Sequence, residues 1–312
     1  MGQIKSILIT GANAGLGKES ARQIALREDA EKIYLACRNE AKALAAKQEL
    51  EEATGKNIFE IILMDVSNLQ SVREAVAALD EPVGGLIMNA GGAGGPNFDE
   101  ITEDGVMQTV AVNLLGHVVL LEELLKAGKL TGAALYAGSE AVRGVPEMGI
   151  KQIPLKESST AEFASVMDGT FFGENKDPIV PYGPIKYMAA LWMSSMARKH
   201  AGIRFITMSP GATTGTEALN KVPFLKKVMF STMFRVMLML GKVHRLEVGA
   251  KRYVDGLYDE AYKSGVFYAS KKGVTGPVID QGELFADLHD ERIQDNAHEA
   301  IRGFIKAKTV AA

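Results

Sequence analysis

Two kinds of apolar spacing alternate along this chain. Short runs in which nearly every residue is apolar occupy 6–10, 32–37, 58–64, 83–88, 133–138, 204–209 and 266–268 and read as strands. They lack the polar alternation of a half-exposed sheet, so both faces of each strand are expected to be covered. Between them, 16–27, 40–54, 69–79, 105–127, 182–200 and 246–258 return apolar residues every three or four positions, the spacing of a helix. Strand and helix in repeated alternation predict right-handed crossovers and a parallel, doubly wound sheet. The expected fold class is therefore α/β, with a mostly parallel seven-stranded sheet in one domain over residues 1–312. Two segments break the rhythm. The stretch 140–181 is long, rich in Gly, Pro and Ser, and weakly patterned, and reads as an insertion; 212–245 mixes apolar, helix-like sequence with basic residues. Both follow strand carboxyl ends, where open α/β sheets bind ligands, and loops of this length are usually functional or disordered.

Composition narrows the class of protein. The net charge of −3 carries no nucleic-acid footprint. The single Cys37 excludes an internal disulfide and a cysteine zinc cluster. Five histidines are scattered, with no pair at metal-ligand spacing, so no metal site is expected. No signal-like apolar region precedes the first strand, and the nearest candidate for a spanning run, 228–240, contains Arg235. A soluble, cytoplasmic chain is expected.

The glycine turn Thr10-Gly11-Ala12-Asn13-Ala14-Gly15-Leu16-Gly17 follows the apolar run Ile7-Leu8-Ile9. Small residues between a strand and a helix let backbone N–H groups and the helix N-terminus approach a pyrophosphate, as in a Rossmann-type nucleotide site. Three residues separate its first two glycines, unlike the tighter G-x-G-x-x-G pattern. At the end of the second strand stands Cys37-Arg38-Asn39. A carboxylate there would suit the ribose hydroxyls of NAD; an arginine suits a 2′-phosphate, hence NADP(H). Further on, Tyr182-Gly183-Pro184-Ile185-Lys186 places a phenol and an ammonium on one helix face. A phenol beside a fixed ammonium is expected to ionise more easily than its reference pKa of ~10 allows.

Seven segments in order resemble the short-chain dehydrogenase/reductase family. They are the glycine turn, Met64-Asp65-Val66, Asn89-Ala90-Gly91, Val112-Asn113, Gly138-Ser139, the Tyr182–Lys186 motif, and Pro210-Gly211. The resemblance implies that Tyr182 is the general acid in reduction and the general base in oxidation. Lys186 would hold the nicotinamide ribose and lower the tyrosine pKa, Ser139 would bond the substrate oxygen, and Asn113 would hold a water linking Lys186 to solvent. The implied cofactor groove takes in Gly11, Asn13, Ala14, Gly15, Leu16, Gly17, Arg38, Asn39, Asp65, Val66, Asn89, Ala90, Gly91, Tyr182, Lys186, Pro210, Gly211 and Thr213, with Asp65 and Val66 at the adenine. Ala36-Cys37-Arg38-Asn39, Asn113-Leu114-Leu115-Gly116-His117 and Pro210-Gly211-Ala212-Thr213-Thr214-Gly215 are similar to the retinol-dehydrogenase-like and protochlorophyllide-reductase-like members. The latter place a cysteine two residues after the motif lysine, where this chain has Met188. In the family, the helices around Asn113 and Tyr182 often pack on a partner subunit, which implies a homodimer or homotetramer.

The expected function is NADPH-dependent interconversion of a carbonyl and an alcohol. The Met- and Phe-rich stretch 222–244 points to a bulky, apolar small-molecule substrate held under a lid; core or dimer packing and interfacial membrane contact are the other readings of that stretch. Reduction of an activated C=C bond, or a non-catalytic NADP(H) sensor, are the alternative functions.

Overall fold

The computed structural model describes residues 4–95, 97–213, 238 and 243–309, with side chains through 305. Most of the segment expected to form a lid lies outside the described residues. Eight strands form one sheet: β1 (Ser6–Thr10), β2 (Lys32–Cys37), β3 (Phe59–Leu63), β4 (Val83–Met88), β5 (Leu130–Ala137), β6 (Arg204–Met208), β7 (Val266–Ser270) and β8 (Val278–Asp280). Their order is β3-β2-β1-β4-β5-β6-β7-β8. Every pairing from β3 through β7 is parallel, and β8 returns antiparallel to β7. This is the doubly wound α/β architecture, with one strand more than expected. The additional strand is a three-residue edge piece, too short to show a pattern of its own.

Both faces of the sheet are buried, which explains the unbroken apolar runs. Along β1, Ile7 and Ile9 point into one core and Leu8 into the other. Ile33 and Leu35 oppose Tyr34 in the same way on β2. Helices α1 (Gly15–Ala25), α2 (Glu40–Thr54) and α7 (Leu246–Tyr258) cover the Ile7 face. On the Leu8 face lie α3 (Leu69–Ala78), α4 (Gln108–Lys126) and α6 (Tyr182–Lys199), backed by α5 (Thr160–Asp168) and α8 (Glu291–Thr309). Asn39 and Asn68 start α2 and α3 by accepting the N–H groups of Lys42 and Ser71, the usual end of a strand-to-helix turn. By length and apolar composition α4 could cross a membrane, but 72% of its apolar window is buried inside the molecule, so packing accounts for its apolarity.

The insertion 140–181 is packed structure. Ser159 accepts the Glu162 N–H at 3.2 Å, and the Glu162 carboxylate accepts the N–H groups of Lys156, Glu157 and Ser158 at 2.7–2.8 Å. This reciprocal cap starts α5, whose Phe163, Val166 and Met167 are fully buried beside α6 and α8.

Candidate active site

Strand carboxyl ends gather the residues singled out by the sequence. β1 ends in the glycine turn, where the Gly11 N–H donates to the Ala36 carbonyl at 2.8 Å. Gly11 has φ +65°, and a Cβ on Gly17 would lie 2.5 Å from the Gly11 oxygen. Glycine is thus required for α1 to close on the turn. Ala14, extended at φ −157°, precedes α1 without a side-chain cap, and no acidic residue lies in the first turn. The positive end of the helix and its N–H groups are therefore left to an anion. Asn13, Gly15 and Leu16 are half-buried in the same turn.

Asn89 bolts β4 to this turn. Its Nδ2 donates to the Thr10 carbonyl at 2.9 Å, while Thr10 Oγ1 accepts the N–H groups of Asn89 and Ala90 at 2.9 and 2.8 Å. Beside them, a cavity of about 180 Å³ is lined by Gly11, Ala36, Arg38, Met64, Asp65, Val66, Ala90 and Val112. The Arg38 side chain is 73% exposed at its edge, with Nη1 3.6 Å from Asp65 Oδ2. Asn39, read as a cofactor residue, is spent on capping α2. Gly91, at φ +148°, sits against the Asn113 side chain. On the other rim Pro210 and Gly211 follow β6, and a Cβ on Gly249 of α7 would run into both Thr213 and Leu16. The loop after β6 thus meets the glycine turn over the start of α7.

Ser139 follows β5 and heads a short 3₁₀ turn, its Oγ accepting the Ala141 N–H at 3.2 Å. A Cβ on Gly183 would lie 2.7 Å from the Ala141 carbonyl, so only glycine lets α6 begin this close to the loop. That contact sets Tyr182 beside Ser139, whose hydroxyl favours the ionised phenol. Tyr182 is half-buried. Lys186, one turn on, is 3% exposed; its Nζ lies 5.5 Å from the Tyr182 ring centroid and donates to the Ala137 carbonyl at 2.8 Å and to Tyr136 Oη at 3.2 Å.

The electrostatics run against one expectation. Burial pushes the Tyr182 phenol up to about 12, opposed by the Ser139 hydrogen bond and reinforced by the Glu140 carboxylate. Burial also pulls Lys186 down to about 7. Desolvation, the largest influence on each group, disfavours the charged form of both. Tyr182 consequently holds its proton at neutral pH and can give it up when negative charge develops on a bonded oxygen.

Asn113 is fixed by its side chain. It lies within a π-helical turn, Ala111–Leu115, inside α4, and such turns cluster at functional sites. Gly116 closes the turn, where any Cβ would collide with the Val66 carbonyl. The Asn113 side chain clamps residue 92: Oδ1 accepts the Gly92 N–H at 3.0 Å, and Nδ2 donates to the Gly92 and Thr109 carbonyls, both at 2.9 Å. Its carbonyl accepts the Tyr136 hydroxyl at 2.5 Å. Tyr136 thus joins Lys186 to the Asn113 carbonyl.

Three further residues were not anticipated. His117, one turn after Asn113, accepts Thr10 Oγ1–H at Nε2 (3.0 Å), since that hydroxyl already receives two N–H groups. Nδ1 then carries the proton toward the Asn113 carbonyl at 3.4 Å. Burial, with the Lys186 charge nearby, pulls His117 down to about 3, so the ring is neutral. Glu140, 4% exposed, accepts from Ser209 Oγ and from the Ser270 N–H at 3.1 Å, and lies 3.8 Å from Arg252. Arg252 donates to Ser270 Oγ at 3.0 Å and the Gly276 carbonyl at 2.9 Å. This buried pair ties the loop after β5 to β6, β7 and α7. The Asn113/His117 spacing of four was the available signal for the first; a lone Glu after Ser139 gave none for the pair.

The sheet order and the residues at its carboxyl edge define the doubly wound α/β class with a glycine-turn nucleotide site and a Ser–Tyr–Lys group. Comparison with known proteins agrees. Residues 5–147 match the family model described as short chain dehydrogenase. Over these residues the chain belongs to the short-chain dehydrogenase/reductase family. Human retinol dehydrogenase 13 is 37% identical over 124 residues, covering 39% of this chain and 36% of that protein. Oxidoreductase calI of Penicillium decumbens is 30% identical over 229 residues, covering 70% and 61%. The matched part thus spans from about a third to about three fifths of these relatives' own length. Among solved structures, L-sorbose reductase from Gluconobacter frateurii, complexed with NADPH and L-sorbose, aligns over 88% of this chain and 97% of its own, with TM-score 0.63 and 18% identity. NADPH-bound carbonyl reductase from chicken fatty liver aligns over 88% and 100%, with TM-score 0.57 and 17% identity. At these identities the likeness concerns the fold.

Proposed function

We propose that this protein is an NADP(H)-dependent oxidoreductase that interconverts a carbonyl and an alcohol on a bulky, apolar substrate. What supports the reading most is the grouping of Ser139, Tyr182 and Lys186 at the same carboxyl edge of the sheet as the glycine turn and the cavity edged by Arg38. The residues fit the cofactor. The uncapped start of α1 would take the pyrophosphate, the cavity with Asp65 and Val66 the adenosine, Arg38 the 2′-phosphate, and Lys186 the nicotinamide ribose. When bound, NADPH supplies the hydride to the carbonyl carbon. Ser139 Oγ hydrogen-bonds the carbonyl oxygen, and Tyr182 donates its proton as charge builds there. In the alcohol-to-carbonyl direction the same phenol must first be deprotonated, which its raised pKa opposes. The likeness to a retinol dehydrogenase and to NADPH-bound reductases supports the cofactor and the reaction class. The substrate's bulk rests on the Met- and Phe-rich sequence of 222–244, most of which lies outside the described residues. The test is NADPH consumption over a panel of ketones and aldehydes from small to polycyclic. Turnover that rises with apolar size is expected; equal rates on acetone and on bulky ketones would remove the substrate class, and no turnover on any carbonyl would remove the reaction.

A further inference from the structure

The Lys186 ammonium is enclosed, and what encloses it is known group by group. On its own helix it faces the Tyr182 ring. From β5 come the Ala137 carbonyl at 2.8 Å and Tyr136, whose hydroxyl is 3.2 Å and whose ring centroid is 4.6 Å from Nζ. α4 contributes His117, held neutral by burial, and the Asn113 carbonyl behind the Tyr136 hydroxyl. The phenol of Tyr253 on α7 and the Glu140 carboxylate lie further off, within electrostatic reach of Tyr182. Among the described residues no carboxylate pairs with the ammonium.

Tyr136 is fully buried, and its ring edge is packed on His117 with centroids 5.9 Å apart and planes at 85°. Its hydroxyl has one proton, which goes to the Asn113 carbonyl at 2.5 Å. That leaves the oxygen lone pairs facing Nζ. The hydroxyl is thus oriented by the π-helical turn to act toward Nζ as an acceptor. A tyrosine is also the one large side chain in the small, apolar sequence Ala133-Ala134-Leu135-Tyr136-Ala137-Gly138.

We propose that Tyr136 is a positioning residue of this site: anchored on the Asn113 carbonyl, its hydroxyl holds the Lys186 ammonium beneath Tyr182 and fills the space behind it. Because a carbonyl cannot pass a proton on, the chain Lys186–Tyr136–Asn113 ends in the protein. The role rests on Lys186 acting as proposed above, so its decisive test is made in the free protein.

Tyr136→Phe keeps the ring and removes the acceptor. The Lys186 amine, followed by NMR of protein labelled with ¹³C at lysine Cε and assigned through Lys186→Arg, should titrate about one pH unit lower in the variant, since a charged hydrogen bond that favoured the ammonium is gone. With a ketone that the wild type reduces, kcat should fall about tenfold with KM for the ketone unchanged, and the lysine-dependent limb of the pH–rate profile should move by the same amount. Tyr136→Ser opens a polar space with Nζ and two carbonyls around it, which suits a water; where this variant folds, it should recover part of the rate lost in Tyr136→Phe. An unchanged lysine titration in folded Tyr136→Phe would overturn the proposal, whatever the rate. If Tyr136→Phe does not fold, the titration is read in Tyr136→Ser, with the same two outcomes. A wild type that reduces no carbonyl would defeat the functional reading while the titration still decided the role of Tyr136.

Discussion

At Tyr182 burial outweighs the influences that would ionise the phenol, and its proton is available for donation at neutral pH. Tyr182→Phe removes only that donor. Its kcat should drop by about 10²–10⁴-fold with NADPH affinity unchanged; NADPH fluorescence titration and steady-state rates check this, and wild-type turnover would dismiss Tyr182 as the acid. Arg38 belongs to a different energy scale. It is exposed, and its worth in a charged contact with a 2′-phosphate is about 1.5–3 kcal/mol. Arg38→Asp should therefore move the kcat/KM ratio toward NADH by at least ~10-fold, and a wild type that already prefers NADH would contradict the assignment. His117 affects stability through pH. Its pKa is depressed to about 3 in the folded protein from an ordinary 6.5, so below pH 6.5 the unfolded chain binds the extra proton. Its contribution is complete above 6.5 and is lost as pH falls toward 3, at about 1.4 kcal/mol per pH unit. Urea unfolding at descending pH should show a shallower acid-side loss in His117→Gln than in the wild type; identical slopes would mean that His117 is not held neutral.

The helices and strands differ in how openly the sequence announced them. β1, β2 and β4 and helices α2 and α7 have the bounds that apolar spacing predicts; α2 is stopped at its ends by the Asn39 cap and by Gly55 in the left-handed conformation. β5 begins three residues earlier than expected, at Leu130, where Thr131 and Gly132 dilute the apolar run. α5 was missed although Ser159-Thr160-Ala161-Glu162 carries its cap in plain view; a nine-residue helix in a Gly- and Pro-rich insertion has too few turns for a pattern. α8 was missed for another reason. Its buried Ile293, Ala297, Ala300 and Ile301 keep helical spacing, but the rest of its surface is polar. The site residues were legible as types in order, whereas the Tyr136 contact and the Glu140–Arg252 pair depend on which strands become neighbours. That pair joins elements distant in sequence, so its loss should be felt globally. Glu140→Ala leaves the Arg252 guanidinium buried without its carboxylate and should cost about 3–5 kcal/mol. Denaturant unfolding should show a lower midpoint at unchanged slope, and a midpoint equal to the wild type's would mean the pair contributes nothing.

For the molecule as a whole, the surface implied for a partner subunit is already in use. From Gly183 to Met196 every residue of α6 except Tyr187 is buried within one chain. α5 and α8 do the covering. Asp295 of α8 receives Ser195 Oγ and Arg198 Nη2 at 2.6 Å each and Lys199 Nζ at 3.1 Å, all from α6. Asn296 donates to the Ser158 carbonyl ahead of α5 at 2.9 Å, and Arg302 pairs with Glu122 of α4 at 3.0 Å. α8 therefore covers α6, one of the helices on which the family resemblance implies dimerisation, reaches α4 through Arg302, and is fixed to the insertion as well. A second copy could reach α6 only by displacing α8 and exposing Ile293, Ala297, Ala300 and Ile301, for which no compensating contact would be gained. The chain should accordingly run as a 33.5 kDa particle in light scattering, not as the homodimer or homotetramer that the family resemblance implies. Ile301→Asp, which sets an unpaired charge at the centre of this cover, should loosen α8 and produce concentration-dependent association as the apolar face of α6 is uncovered. A stable wild-type dimer whose mass is indifferent to Ile301→Asp would show that association uses another face and that the cover formed by α5 and α8 does not decide the oligomeric state.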